Sequence, residues 1–275
     1  MMEAHILKKG EKLSRSIEDY PDGIILCIDK PYRWTSADVI RKIKWTAGKH
    51  FGKKNLKVGH AGTLDPLATG ILLVCIGKAT KSAQALQDHD KEYLAGVSFG
   101  ATTPSYDLEK DIDREYPLDG VTLPALEAVL PTFIGEQTQV APLFSAKSVD
   151  GVRAYETARR LLKEGRLEEG SDILHASTIR IGALEVTGFD IPFEEQACPG
   201  RISRINVASP EGHPLIHTMI RVECSKGTYI RALARDLGEA LGSGAFLWSL
   251  RRSRVGSFTL EDAIGIEDVL GSFEL

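Results

Sequence analysis

The stretch Gly59-His-Ala-Gly-Thr-Leu-Asp-Pro-Leu-Ala-Thr-Gly70 runs directly into the apolar segment Ile71–Ile76, which has the length and composition of a buried strand. Its glycines permit backbone conformations that other residues resist, so the loop can approach a ligand closely. Pro66 favours an extended backbone at Asp65 and thereby fixes the direction of that carboxylate. An Asp-Pro pair in such a loop is also typical of a plain turn. The stretch therefore predicts a loop that either presents Asp65 or simply turns the chain before a strand.

The segments on both sides of this loop alternate irregularly between strand and helix patterns. Thr35-Ser-Ala-Asp38 resembles a capping box at a helix start, and Pro124 suits the first turn of another helix. Because no regular β-α-β rhythm is present, the pattern favours an α+β domain with a central mixed or antiparallel sheet flanked by helices. Strands are predicted over residues 23–29, 71–76, 91–99, 178–187, 215–224 and 244–250, and helices over 35–48, 124–133, 152–163 and 229–241.

The composition is that of a soluble globular protein. The chain has 275 residues, 43% of them hydrophobic and 26% charged. No apolar run approaches the roughly 18 residues that span a bilayer, and the N-terminus lacks the apolar core of a secretory signal. The cysteines show no metal-ligand spacing, which favours reduced thiols and a cytoplasmic location. They are Cys27, Cys75, Cys198 and Cys224.

The charges are segregated along the chain although the net charge is −4. No acidic residue occurs between Val39 and Leu64, whereas acids concentrate in 107–115. Such segregation can give an acidic protein a positive face that binds nucleic acid, although a solvated helix face and loop would look the same. The basic residues of the first segment are Arg41, Lys42, Lys44, Lys49, Lys53, Lys54 and Lys57, and a second basic group is Arg251, Arg252 and Arg254.

Several segments together resemble the motifs of the TruB family of pseudouridine synthases. The loop Gly59–Gly70 and the following Gly77-Lys-Ala-Thr-Lys81 match the family's signature without a gap. The resemblance runs from about Gly23 to about Leu250. The further matching segments, in the family's order, are Asp29-Lys-Pro31 with Thr35-Ser36, Lys91-Glu-Tyr93, Cys224-Ser-Lys-Gly-Thr-Tyr-Ile-Arg231, Asp236-Leu-Gly238 and Leu250-Arg-Arg252.

The resemblance implies isomerisation of uridine to pseudouridine at position 55, in the T-arm loop of tRNA. This reaction breaks the N1–C1′ bond, turns the base and joins C5 to C1′, and it requires no redox step, ATP or metal. The implied cofactor set is therefore empty, and the implied partner is the tRNA T-arm stem-loop, with no membrane and no obligate protein partner. The implied fold is the pseudouridine synthase catalytic domain with RNA-binding loops.

The resemblance also implies three catalytic residues. Asp65 is the expected nucleophile, and attack at C1′, attack at C6 and proton removal from C2′ are all open routes. Arg231 is expected to keep Asp65 ionised and oriented, although a surface helix position is the alternative. Tyr93 is expected to pack under the target base and to act in proton transfer at C5, although ordinary strand packing is the commoner fate of a Tyr.

Five further residues are expected to bind the RNA. His60 is expected to enter the RNA loop and stack where the flipped base had been, because a buried base must leave its stack before a carboxylate reaches it. Tyr229 and Leu250 are expected to line the uracil pocket, and core packing is their alternative. Lys78 and Lys81 are expected to meet phosphates or stabilise the loop.

The sequence also departs from the family's pattern. Ser148 stands where the family usually has a lysine, and the neighbouring Lys147 is a possible substitute. The expected division is a flexible leader at 1–22, the catalytic domain at 23–254 and a short extension at 255–275 without a PUA domain. Two other functions stay open: an RNA chaperone that refolds the tRNA elbow, and a synthase that acts on ribosomal or guide-directed RNA.

Overall fold

A computed structural model describes residues 4–144, 148–149, 152–164, 166, 176–195, 205 and 207–274. The strands are β1 (His5–Ile6), β2 (Ile24–Lys30), β3 (Val58–His60), β4 (Ala68–Ile76), β5 (Lys91–Phe99), β6 (Ala101–Thr102), β7 (Arg114–Glu115), β8 (Gly135–Val140), β9 (Ser148–Val149), β10 (Val152–Arg153), β11 (Ala176–Phe189), β12 (Ile216–Cys224), β13 (Ala245–Val255), β14 (Phe258–Thr259) and β15 (Ile264–Gly265). The helices are α1 (Ser36–His50), α2 (Ala83–Asp88), α3 (Leu123–Val129), α4 (Ala154–Lys163), α5 (Ile230–Ala240) and α6 (Ile266–Gly271).

The chain divides into two compact units. Unit 1 comprises Met1–Leu94, Glu195–Ile205 and Leu250–Leu275, and unit 2 comprises Ala95–Glu194 and Asn206–Ser249. The divisions at Leu94 and Ser249 fall inside β5 and β13, so each of these strands contributes one part to each unit.

Unit 1 is built on a mixed sheet. β2 is antiparallel to β4, from Ile24 opposite Ile76 to Lys30 opposite Gly70. β1 is parallel to β2, and β13 is parallel to β4. Most side chains of β2 and β4 are buried in succession, as expected for strands covered on both faces. The α+β class with a mixed central sheet and flanking helices, predicted from the sequence, is confirmed.

Unit 2 contains a long antiparallel ladder. β11 pairs with β12 on one side and with β8 on the other. Burial alternates along β12, which is the pattern of a strand with one face on a core. Helix α5 buries Leu233 and Leu237, and a Cβ at Gly238 would lie 2.6 Å from the backbone nitrogen of Ala245. Glycine is therefore required where α5 approaches the start of β13.

Several element bounds differ from the sequence prediction, and the largest differences are at α3 and β13. The predicted helix 124–133 ends as an α-helix at Val129 and continues as a 3-10 turn, Leu130–Phe133. Pro131 explains this change, because it lacks the N–H that an α-helix needs. β13 continues to Val255, past the predicted end at residue 250. Within the segment predicted as a leader, residues 1–22, Leu7 and Leu13 are buried and β1 pairs with β2.

The predicted start of α1 is confirmed in detail. The Thr35 side chain accepts a hydrogen bond from the backbone of Asp38, and the Asp38 carboxylate accepts one from the backbone of Thr35. This capping box fixes where α1 begins. Cys27, Cys75 and Cys224 are buried free thiols, and Cys198 lies outside the described residues.

Candidate active site

The loop that carries Asp65 is held by the first residue of α1. The Ser36 hydroxyl accepts a hydrogen bond from the Leu64 N–H at 3.0 Å and donates one to the Leu64 carbonyl at 3.1 Å. Ser36 is buried, so water does not compete for these bonds. The Asp65 carbonyl accepts a bond from the Ala68 N–H at 3.1 Å, which closes a turn. The start of α1 therefore fixes the backbone on the N-terminal side of Asp65.

A buried lysine holds the other side of Asp65. The Lys30 ammonium donates to the carbonyls of Pro31, Trp34 and Pro66 at 2.9, 2.6 and 3.2 Å. Its exposed fraction is 0%. Burial lowers the pKa of Lys30 to about 7, and the negative charge of Asp65 acts in the opposite direction. The lysine therefore lies within the electrostatic reach of the candidate nucleophile.

A buried arginine on β13 holds the middle of the same loop. The Arg252 guanidinium donates to the carbonyls of Ile71, Gly62 and Thr63 at 2.7, 3.1 and 3.4 Å. Gly70 has a φ of +92°, and a Cβ there would lie 2.2 Å from the Arg252 carbonyl oxygen. The sequence predicted that the loop glycines allow a close approach to a ligand. At Gly70 the close neighbour is the backbone of β13. The second basic group predicted from the sequence is corrected, because Arg252 is buried and cannot form an exposed patch.

His60 lies on β3, opposite Val74 of β4. Burial lowers the pKa of His60, and the positive charge of Arg252 lowers it further. Its Nδ1 atom is buried and has no hydrogen-bond partner within the described residues. At neutral pH the ring is therefore an uncharged, flat surface.

The remaining predicted residues of unit 1 lie on neighbouring elements. Tyr93 is buried in β5, and Leu250 is buried in β13, where it pairs with Ala68 of β4. Lys78 and Lys81 are exposed in the 3-10 turn that follows β4.

Unit 2 carries Arg231 and Tyr229 at the start of α5. The Arg231 guanidinium donates to the carbonyls of Ser105 and Phe144 at 3.0 and 2.9 Å. Its Nε lies 3.6 Å from the Asp107 carboxylate. With 5% of its side chain exposed, Arg231 is not the surface helix residue that was its alternative. Tyr229 is the N-cap residue of α5. Its backbone N–H donates to the side-chain oxygen of Gln139 at 2.8 Å, and its carbonyl accepts from the side-chain nitrogen of Gln139 at 3.2 Å.

Asp107 contacts a predicted site residue although it was not itself predicted as one. It is buried beside Arg231, and its carboxylate accepts bonds from the Ser105 hydroxyl at 2.6 Å and the Glu109 N–H at 3.0 Å. The Thr103 hydroxyl donates to the Asp107 carbonyl at 2.8 Å. The signal that could have found it is the Thr103-Pro-Ser-Tyr-Asp107 segment, because Thr, Ser and Asp side chains bond nearby backbone groups in turns.

The remaining predictions concern Lys147 with Ser148, metal sites and membrane spans. Lys147 lies outside the described residues, as does the side chain of Ser148. Within the described residues, no group of three or more His, Cys, Asp or Glu side chains is placed to hold a metal ion. None of the described helices is long and apolar enough to cross a membrane.

A comparison with known protein families assigns the chain to one of them. Residues 49–230 match the family described as TruB family pseudouridylate synthase (N terminal domain). The chain belongs to the TruB family. Residues 231–275 match the tRNA pseudouridylate synthase B C-terminal domain. The family match thus changes at residue 231, and the sequence-predicted boundaries at 22 and 254 stay a prediction.

Two curated relatives of this TruB-family chain carry the same name. It is 45% identical to the tRNA pseudouridine synthase B of Phocaeicola vulgatus, over 90% of this chain and 92% of that protein. It is 40% identical to the tRNA pseudouridine synthase B of Thermus thermophilus, over 89% of this chain and 77% of that protein.

Solved structures share the fold. A chain of a Cbf5-Nop10-Gar1 complex has a TM-score of 0.58 and 28% identity, over 98% of this chain and 60% of that one. A chain of an H/ACA RNP bound to a substrate RNA containing 2′-deoxyuridine has a TM-score of 0.55 and 25% identity, over 96% and 61%. This chain therefore spans about three fifths of the length of those two solved chains.

Proposed function

We propose that this chain isomerises uridine to pseudouridine at position 55, in the T-arm loop of tRNA, with Asp65 as the nucleophile and without a cofactor. Membership of the TruB family supports the reaction class, and the name of the relatives supports tRNA as the substrate. The substrate is the T-arm stem-loop, and the place of action is the cytoplasm.

The fixed backbone around Asp65 is the observation that carries the proposal. Buried side chains of Ser36, Lys30 and Arg252 hold the loop before and after Asp65, while the Asp65 residue itself is only partly buried. A plain surface turn does not need two buried cations, whose burial costs free energy. A nucleophile does need a fixed direction, because misplacement by about 1 Å can cost a hundredfold in rate. This arrangement supports Asp65 as the reacting group over the plain-turn alternative.

Arg231 is assigned as the cation that favours the ionised form of Asp65. Its guanidinium is buried and oriented by two carbonyls and by Asp107, so its charge has a fixed position. A buried, oriented guanidinium suits this role better than a mobile surface arginine does. Asp107 is a positioning residue in this assignment.

The binding roles follow from burial and charge. Tyr93, Tyr229 and Leu250 are assigned to the uracil base. His60 is assigned as the stacking residue that replaces the flipped base, since its ring is kept uncharged by burial. Lys78 and Lys81 are exposed cations and are assigned to phosphates.

Replacing Asp65 tests the central assignment. Asp65→Asn keeps the shape of the side chain but removes its charge, so pseudouridine formation should vanish. T-arm RNA should still bind within about tenfold of the unchanged protein. Asp88→Asn, an exposed aspartate at the end of α2, is the control and should keep full turnover. Pseudouridine mapping on total RNA should lose the T-loop site with Asp65→Asn alone, and turnover above a few per cent of normal would exclude Asp65 as nucleophile.

Replacing Tyr93 separates RNA binding from the chemical step. Tyr93→Phe keeps the ring and loses the hydroxyl, so RNA binding should survive while turnover falls by about a hundredfold. Normal turnover of Tyr93→Phe would leave Tyr93 a packing residue.

His60→Ala should slow base flipping, because unstacking a base costs a few kcal/mol. Flipping is followed with a fluorescent base analogue beside the target uridine. Unchanged flipping with only a lower melting temperature would make His60 structural.

A further inference from the structure

Helix α1 exposes a large aromatic side chain. Trp45 has 53% of its surface exposed, the highest value among the exposed large hydrophobic residues that the structure describes. The Lys49 ammonium lies over the indole, 4.0 Å from the ring centroid. A single exposed apolar residue is ordinary on a protein surface, so the indole alone indicates no partner.

The residues around Trp45 do indicate one. Arg41 and Lys49 lie four residues before and after Trp45 and share its ridge of the helix. Lys42 and Lys44 are exposed beside this ridge, and the only acidic residue in α1 is Asp38, which pairs with Arg41 at 2.9 Å. We call Arg41, Lys42, Lys44, Trp45 and Lys49 the Trp45 face. Its charge complements a polyanion and disfavours an apolar protein surface.

An aromatic ring among cations matches the chemistry of nucleic acids. Unpaired bases stack on exposed aromatic side chains, while nearby lysines and arginines neutralise the adjoining phosphates. Bases inside a stem already stack on both faces, so the indole suits an unpaired base. The chemistry of these residues therefore suits single-stranded nucleotides.

The position of the Trp45 face relative to the Asp65 loop is fixed. Ser36, the first residue of α1, is bonded to the backbone of Leu64 in that loop. Trp45 follows nine residues later, which is about 13 Å along the helix axis. An RNA whose target uridine reaches Asp65 must extend beyond that nucleotide to reach Trp45.

We propose that the Trp45 face binds an unpaired base, with its adjoining phosphates, of the substrate tRNA outside the T-arm hairpin. This inference rests on the proposed function, since it names a second contact with the same substrate. It predicts that the folded tRNA gains affinity from a surface that the isolated hairpin does not touch.

Matched substrates test the inference. Dissociation constants are measured for a full-length tRNA transcript and for its isolated T-arm hairpin. Trp45→Ala should weaken tRNA binding about tenfold and leave hairpin binding within about twofold. Trp45→Phe keeps an aromatic face and should recover most of the loss. The Trp45 contribution to fluorescence, taken as the difference between the unchanged protein and Trp45→Phe, should be quenched by tRNA and not by the hairpin.

The outcomes are separable from those of the proposed function. Turnover of the hairpin at saturation should be the same with and without Trp45→Ala, and failure of the unchanged protein to convert the hairpin would count against the proposed function instead. Equal loss of affinity for both RNAs would overturn the inference, because Trp45 would then act through the T-arm or the fold. Unchanged affinity for both would also overturn it, because the Trp45 face would then contribute nothing to RNA binding.

Discussion

Basic residues occur in two contrasting settings in unit 1. Lys30 and Arg252 are buried, with exposed fractions of 0% and 1%, and donate hydrogen bonds to backbone carbonyls of the Asp65 loop or beside it. The cations of the Trp45 face are exposed. Basic residues therefore have two roles here. The buried Lys30 and Arg252 fix a loop, and the exposed cations of the Trp45 face are available to bind an anionic ligand.

Burial decides between these two roles. A buried cation has lost its water and must recover that free energy from protein acceptors, so its position is strongly determined. An exposed cation is screened and mobile, and it contributes little to stability until a polyanion approaches. Removing a buried cation should therefore harm the fold and the loop, whereas removing an exposed one should change only RNA binding.

The largest effect is expected at Arg252. Arg252→Met removes donors from three carbonyls, and each buried group left unsatisfied costs roughly 1 kcal/mol or more. The free energy of unfolding, measured in urea, should fall by about 3 kcal/mol. Turnover should also fall, because Gly62 and Thr63 precede Asp65 in the loop.

The next residue along β13 provides the control. Arg251 pairs with Asp29 at 2.8 Å, and its side chain is 39% exposed. Arg251→Met should therefore cost less than about 1 kcal/mol. Similar losses of stability for Arg251→Met and Arg252→Met would break the proposed contrast between buried and exposed cations.

A pH-dependent effect of intermediate size is expected at Lys30. Burial lowers its pKa from 10.5 to about 7. Between these values the unfolded chain binds a proton that the folded chain releases, so Lys30 makes stability rise with pH across this window and is without effect on the slope below it. Lys30→Met carries no charge at any pH. The stability of the unchanged protein minus that of Lys30→Met should therefore rise by up to about 1.4 kcal/mol per pH unit above pH 7.

Urea unfolding at pH 7 and pH 9 measures this difference. The control is Lys44→Met, which removes an exposed lysine of α1 and should give the same difference at both pH values. A difference for Lys30→Met that does not change with pH would mean that Lys30 keeps an ordinary pKa in the folded protein. The ammonium would then bear no burial cost.

Local signals in the sequence were enough to predict much of the fold and of the Asp65 loop. The capping box at Thr35 and the apolar run Ile71–Ile76 act within a few residues, so both are readable without tertiary structure. The burial of Arg252 and the bonds of Asp107 depend on residues distant in the chain. Arg251 and Arg252 look alike in sequence, and only strand pairing with β4 determines which of them is buried.

The smallest effect is expected from replacing exposed lysines outside the Asp65 loop. Lys42, Lys44 and Lys54 are exposed, and each lysine that neutralises a phosphate contributes roughly 0.7 to 0.9 to the slope of log affinity against log salt. Changing all three to Gln should flatten that slope by about two units and weaken tRNA binding at low salt, with turnover at saturating tRNA unchanged. Lys53 is the matched control, because it already pairs with Glu18 and lowers the pKa of that carboxyl to about 2. Lys53→Gln should flatten the slope by much less than one unit, since Glu18 competes with phosphate for the same charge. An unaltered slope for the triple change would show that α1 and the loop after it are a solvated surface, and the electrostatic contact with tRNA would then have to come from other cations, such as Lys78 and Lys81.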